Sequence, residues 1–223
     1  MKNIFAILCL IGGLQTSFSQ KLSDSLNTYE FSIEGMTCGN CANTATNVLK
    51  NVKGVKEATV DFETKKAKVV ASNRLTEQQI KDAIKTKTNF EALFSGDELV
   101  KPLTEEEKKN TDIKTIKGGS KLNFKDQLTA GKITVFDFYA DWCGPCRIYS
   151  PKAERMALKY PNVALKKADI VDWNSELSKQ LTKEYKMPAL PFTLIFDDKG
   201  NLLGKVEGNR IEEVEQIIIK NTK

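Results

Sequence analysis

Two pairs of cysteines, each with two residues between its members, constrain this chain more than any other feature: Cys38-Gly39-Asn40-Cys41 and Cys143-Gly144-Pro145-Cys146. That spacing suits metal ligands or a redox couple; staples between distant segments have no need of it. Two inert disulfides remain the plainer alternative for these four cysteines. The 101 residues between Cys41 and Cys143 (positions 42–142) far exceed the gap of a four-cysteine zinc site. Each pair therefore needs its own structural unit, and 223 residues suffice for two small domains.

The chain contains no histidine. That excludes imidazole bases, Ser-His and Cys-His hydrolysis and histidine metal sites, and leaves cysteine, carboxylate and lysine to do chemistry. The net charge of +5 comes from lysines interleaved with glutamates, a solvated surface in character. A nucleic-acid face would cluster its basic residues with aromatics between them, so no nucleic-acid partner is expected.

The fifth cysteine, Cys9, lies in the apolar run Ile4–Leu14 behind Met1-Lys2-Asn3. A short basic start, an apolar run too short to span a bilayer and small residues at Ser17 and Ser19 describe a secretory signal over residues 1–19. A lipoprotein signal acylated on Cys9 is the rival, but Leu8 is bulky where a small residue is usual. The expected mature protein is soluble and extracytoplasmic, in the periplasm.

After a polar arm, residues 29–95 read strand, helix, strand, strand, helix, strand. Ala45, Val48, Leu49 and Val52 recur at helical spacing, while Ala58, Val60 and Phe62 alternate, as do Ala67, Val69 and Ala71. Thr76 with Gln79 three residues later opens a second helix as a capping box. The result is a two-layer α+β unit. Residues 96–119, dense in Lys, Glu and Thr and closed by Gly118-Gly119, read as a linker, with a helical turn allowed at Glu105–Lys109. Over residues 120–223 the pattern changes. Ile133–Ala140 is nearly continuous apolar sequence, suited to a strand buried on both faces. A helix to Lys159, strand Val163–Ala168, helix Glu176–Glu184, a hairpin turned at Asp197–Asn201 and a closing helix Ile211–Lys220 follow.

Disulfide exchange needs a thiolate, and an ordinary cysteine is mostly protonated at neutral pH. Cys143 stands where a buried strand gives way to a helix, against unsatisfied N–H groups and the positive dipole end, so it is the expected nucleophile. Cys146 falls one turn on, placed to resolve a mixed disulfide. Pro145 suits a first turn. Asp137 within an apolar strand needs a partner or a task, and burial raises its pKa. The segment Phe136–Cys146 resembles the active site of the thioredoxin family over residues 120–223. The resemblance implies a thioredoxin fold, an α/β architecture, and thiol–disulfide oxidoreductase activity. It casts Asp137 as the buried acid exchanging a proton with Cys146, with Lys167 as a loosely aligned partner. It makes Pro191 the cis-proline beside the cysteine pair, preferred over Pro188, and Trp142 a shield of the site.

Gly35-Met36-Thr37-Cys38-Gly39-Asn40-Cys41 joins a strand to a helix, and two thiolates there can converge on one soft ion. This segment resembles the heavy-metal-associated domain of copper chaperones over residues 29–93. The resemblance implies a ferredoxin-like βαββαβ fold, Cys38 and Cys41 as metal ligands, Met36 packed beneath the loop, and Phe90 where relatives often carry tyrosine. Cu(I) is the expected ion, Hg(II) also fits, and Zn(II) wants more ligands; outside the cytoplasm the pair can instead be a disulfide. No organic cofactor is implied. The fusion implies a reductase for cysteine pairs of copper-handling proteins, or of Cys38/Cys41 itself, supplied with electrons by a membrane donor. The alternatives are a metal carrier whose redox domain keeps its own ligands reduced, and a redox relay without metal.

Overall fold

The computed structural model describes residues 25–222. Residues 1–19, read above as a secretory signal, and Cys9 within them lie outside the described residues. Two sheets, each with its own apolar core, divide the described chain. Among the described residues no helix is long and apolar enough to cross a membrane.

The front sheet has four antiparallel strands in the order β2-β3-β1-β4: β1 Leu26–Glu34, β2 Val55–Val60, β3 Lys66–Ser72 and β4 Glu91–Leu93. Helices α1, Gly39–Lys50, and α2, Glu77–Thr88, complete the βαββαβ order. The period-two alternation of β3 buries Ala67, Val69 and Ala71, and the helical spacing turns Ala45, Leu49, Ile80 and Ile84 onto them. Removing these side chains from water is the main force holding the unit together. Helix α2 opens with the expected reciprocal cap between Thr76 and Gln79 and ends at Asn89 in the left-handed conformation, φ 63°. Strand β1 begins three residues before the sequence pattern suggests, because Leu26–Thr28 pair with Val70–Ser72 while their side chains stay exposed.

The back sheet has five strands in the order β5-β7-β6-β8-β9: β5 Asp112–Ile116, β6 Ile133–Tyr139, β7 Val163–Asp169, β8 Phe192–Phe196 and β9 Leu202–Glu207. The first three are parallel, β8 runs antiparallel to β6, and β9 runs antiparallel to β8 and so in the direction of the first three. Helices α4, Gly144–Lys159, α5, Glu176–Tyr185, and α6, Ile211–Asn221, lie about this sheet. Central β6 and β8 are buried along nearly their whole length, which is why they read as continuous apolar runs.

The linker reading of residues 96–119 needs correction. Glu105–Lys108 form the short helix α3, and β5 is an edge strand paired with β7 from Asp112↔Ala164 to Ile116↔Ala168. As an edge strand it has a neighbour on one side only, and it gives each face of the sheet a single isoleucine, Ile116 to one core cluster and Ile113 to the other, so no apolar run marks it. The rest of the connection is tied down at both ends. Asp97 pairs with Lys81 of α2 at 2.6 Å. Arg155 of α4 donates to the carbonyls of Lys101 and Pro102 at 3.1 and 3.2 Å, and Leu103 beside them is buried.

Candidate redox and metal sites

Buried β6 ends at Tyr139, and Cys143 caps the N-terminus of α4 after three intervening residues. Its sulfur accepts from the Cys146 backbone N–H at 3.2 Å, one of the otherwise unpartnered donors of a helix start. Pro145 occupies the first turn. Cys143 and Cys146 are joined by a disulfide and only 4% and 2% exposed. Trp142 beside them is 45% exposed; its Nε1 donates to the Val171 carbonyl at 2.7 Å and its ring lies 5.7 Å from that of Trp173. Val171 adopts φ 64°, a left-handed conformation that strains a β-branched residue. The Leu190–Pro191 peptide is cis, Pro188 has no cis bond, and the Pro191 carbonyl accepts from Gly208 N–H at 2.8 Å.

Asp137 is fully buried in the middle of β6. Its Oδ2 accepts from Ser150 Oγ on α4 at 2.6 Å, and its Oδ1 has no hydrogen-bond partner among the described residues. Burial pushes the carboxyl up to about 6 against the opposing Ser150 hydrogen bond and the nearby Lys167 charge. Lys167 sits in register with Asp137 on β7, yet its ammonium pairs with Glu154 of α4 at 2.6 Å. The direct partner of Asp137 is thus Ser150, which the sequence reading missed. Its position seven residues past Cys143, two helical turns along one face, is the signal that could have found it.

Cys38 caps α1 with no side-chain hydrogen bond to the helix start, and Cys41 lies in the first turn. Their sulfurs are 2.9 Å apart, Cys38 exposed and Cys41 half-buried. Burial acts to raise the Cys41 thiol, but hydrogen bonds from Cys38 and Thr37 outweigh it and hold the thiol below its ordinary value. Met36 is buried in the front core, and Phe90 is buried with its ring near Gly35. Among the described residues no group of three or more His, Cys, Asp and Glu side chains gathers as a metal site. Two adjacent thiols on an open loop are the donor set that a soft ion accepts with few ligands, so the residues present fit such an ion.

Residues 115–220 match the thioredoxin family model. A thioredoxin H-type of Fagopyrum esculentum is 36% identical over 91 residues, spanning 41% of this chain and 73% of the relative. The chain belongs to the thioredoxin family. Its thioredoxin domain is also similar to the thioredoxin of Chlamydia trachomatis, 33% identical over 79 residues, 35% of this chain and 72% of that one. The solved thioredoxin F of spinach chloroplast is 27% identical, covering 49% of this chain and 93% of its own, with a TM-score of 0.41. In front of the thioredoxin domain, residues 30–91 match the heavy-metal-associated domain model. The protein is therefore a thiol–disulfide oxidoreductase of thioredoxin type fused behind a metal-binding domain.

Proposed function

We propose that this thioredoxin-family protein is an exported disulfide reductase whose front domain binds Cu(I) and directs it to cysteine pairs of metal-handling proteins. The observation carrying this reading is the presence in one chain of two cysteine pairs at helix starts, one shielded beside a buried carboxylate and one open to solvent. In the reductive cycle the Cys143 thiolate attacks one sulfur of a partner disulfide, and the other partner sulfur leaves. Cys146 passes its proton toward Asp137 and attacks Cys143. The partner departs as a dithiol and Cys143–Cys146 closes as a disulfide. A membrane dithiol donor returns two electrons and two protons. Trp142 and Pro191 border the pair and hold the incoming chain. A soft ion held by Cys38 and Cys41 is cargo in this scheme, and the loop's exposure allows a second protein to take it. The segment 1–19 supports export to the periplasm.

The test is a Cu(I) titration of the reduced protein against a competing chelator, with and without Cys38→Ser/Cys41→Ser, alongside reduction of an oxidised copper-chaperone pair and of insulin. One tight equivalent lost in the double variant, with faster reduction of the chaperone pair than of insulin, is the expected result. No binding beyond that of the double variant would make Cys38/Cys41 a redox relay.

A further inference from the structure

The two cysteine loops meet. A Cβ built on Gly144, between the redox cysteines, would lie 2.1 Å from the Gly35 carbonyl oxygen and 2.7 Å from Thr37 Cγ2. Only a glycine admits backbone that close. Reciprocally, a Cβ on Gly35 would lie 2.8 Å from Ile148 of α4. Thr37 precedes Cys38 and Gly144 follows Cys143, so chain geometry holds the Cα atoms of Cys38 and Cys143 within about 14 Å of each other. On the other rim, Gly208, bonded to Pro191, receives Asn89 of the metal domain, whose Oδ1 would lie 2.0 Å from a Cβ there.

Beside these contacts runs a polar latch. Lys152 of α4 binds Glu91 of β4 and also reaches Asn209 at 3.2 Å. Asn209 in turn donates to the Asn89 carbonyl and Glu91 at 3.4 and 3.3 Å. Asn209 and Lys152 are buried, and each of their partners outside the latch's own thioredoxin side belongs to the metal domain. Lys85 and Glu212 close the outer edge at 2.7 Å. Buried polar groups satisfied across a joint give it a defined register, while water can replace their partners when it opens.

We propose that the metal domain is the resident partner of the redox site: docked by this latch, it offers Cys38/Cys41 to Cys143 and screens Cys143 from disulfides in solution. The proposal rests on Cys143 being the nucleophile of the function proposed above. When Cys38–Cys41 is oxidised, the Cys143 thiolate attacks Cys38, the exposed sulfur, and Cys41 leaves as thiolate. Cys146 then attacks Cys143, Cys38 is released, and Cys143–Cys146 forms. Two electrons and two protons pass between the pairs, and no other reactant is consumed.

The full chain carrying Cys41→Ser and Cys146→Ser, reduced and then treated with one equivalent of oxidised glutathione, alkylated and mapped by peptide mass, tests this, since neither resolving thiol remains to undo the link. A Cys143–Cys38 link within monomers, in a fraction unchanged over a hundredfold dilution, is expected. Its absence, or a link found only in dimers and fading on dilution, overturns the proposal. A small aromatic disulfide separates the two readings: no reaction at Cys143 refutes the nucleophile, whereas reaction without the internal link refutes only the resident partner. Glu91→Gln and the surface variant Lys85→Glu loosen the latch from different positions. Either, with an unchanged circular dichroism spectrum, should reduce insulin at least fivefold faster than wild type, and unchanged rates in both overturn the screening.

Discussion

Cys38/Cys41 and Cys143/Cys146 share a spacing and a place at the start of a helix, and differ in nearly everything around them. The back pair follows a strand buried on both faces, which carries a buried carboxylate bonded to Ser150 one turn past Cys146, and has a tryptophan next to it in the chain. The front pair stands on an open loop, its first sulfur exposed and the Thr37 hydroxyl 3.9 Å from Cys41. The spacing supplies two sulfurs on one turn. What surrounds them decides between electron transfer, which needs a proton acceptor close by and shelter for the thiolate, and ion transfer, which needs open access for an incoming ligand.

The sharpest way to break this contrast is to exchange the losses. Cys143→Ser should lower insulin reduction by at least about 10³-fold, since the nucleophile is gone, and leave Cu(I) affinity at its wild-type value. Cys38→Ser/Cys41→Ser should do the reverse in the same turbidity and chelator-competition assays. Loss of both activities in either variant would mean that the pairs work only together.

Asp137→Asn should slow the resolving step about 10²-fold at pH 7, measured by rapid-quench trapping of the mixed disulfide. It should also stabilise the protein. With its folded pKa raised from 3.8 to about 6, the wild-type carboxyl holds its proton more tightly folded than unfolded. Stability therefore falls as pH rises from 3.8 through about 6, and levels off above. Urea unfolding of the Asn variant should show a gain of about 3 kcal/mol at pH 7 that vanishes near pH 3.5. Ser150→Ala removes a donor to the ionised form, so the midpoint of the resolving rate should move to higher pH by about half a unit to one unit. Smallest is a change confined to the front domain: Thr76→Ala removes the α2 cap and should cost about 1 kcal/mol in urea unfolding, with insulin reduction unaltered.

Much of this was legible in the sequence, and for identifiable reasons. The βαββαβ unit announces itself because each element buries one face, so Ala67-x-Val69-x-Ala71 and Ile80-x-x-x-Ile84 carry their periods openly. The redox segment is legible because Asp137 is conspicuous among apolar neighbours. Edge strand β5 was not, since Ile113 and Ile116 stand between lysines and threonine. Ser150 looks like any helix serine until α4 is laid against β6. The latch was the least visible, because Asn89, Glu91, Lys152 and Asn209 are polar, scattered through the chain and indistinguishable from surface residues until two domains close on them.

The pinned connection between the domains has a mechanical consequence. With Asp97 held to α2 and the carbonyls of Lys101 and Pro102 held by Arg155, only Glu98–Val100 are left to stretch. Three extended residues span roughly 10 Å. A leash that short lets the metal domain swing about its anchor but not travel, so release of the latch opens a jaw. The gape is narrow near the leash and widest far from it. Whatever enters to reach Cys143 must then be slender, a single extended loop bearing its disulfide at the tip, and the same leash returns the jaw to its seat without a search.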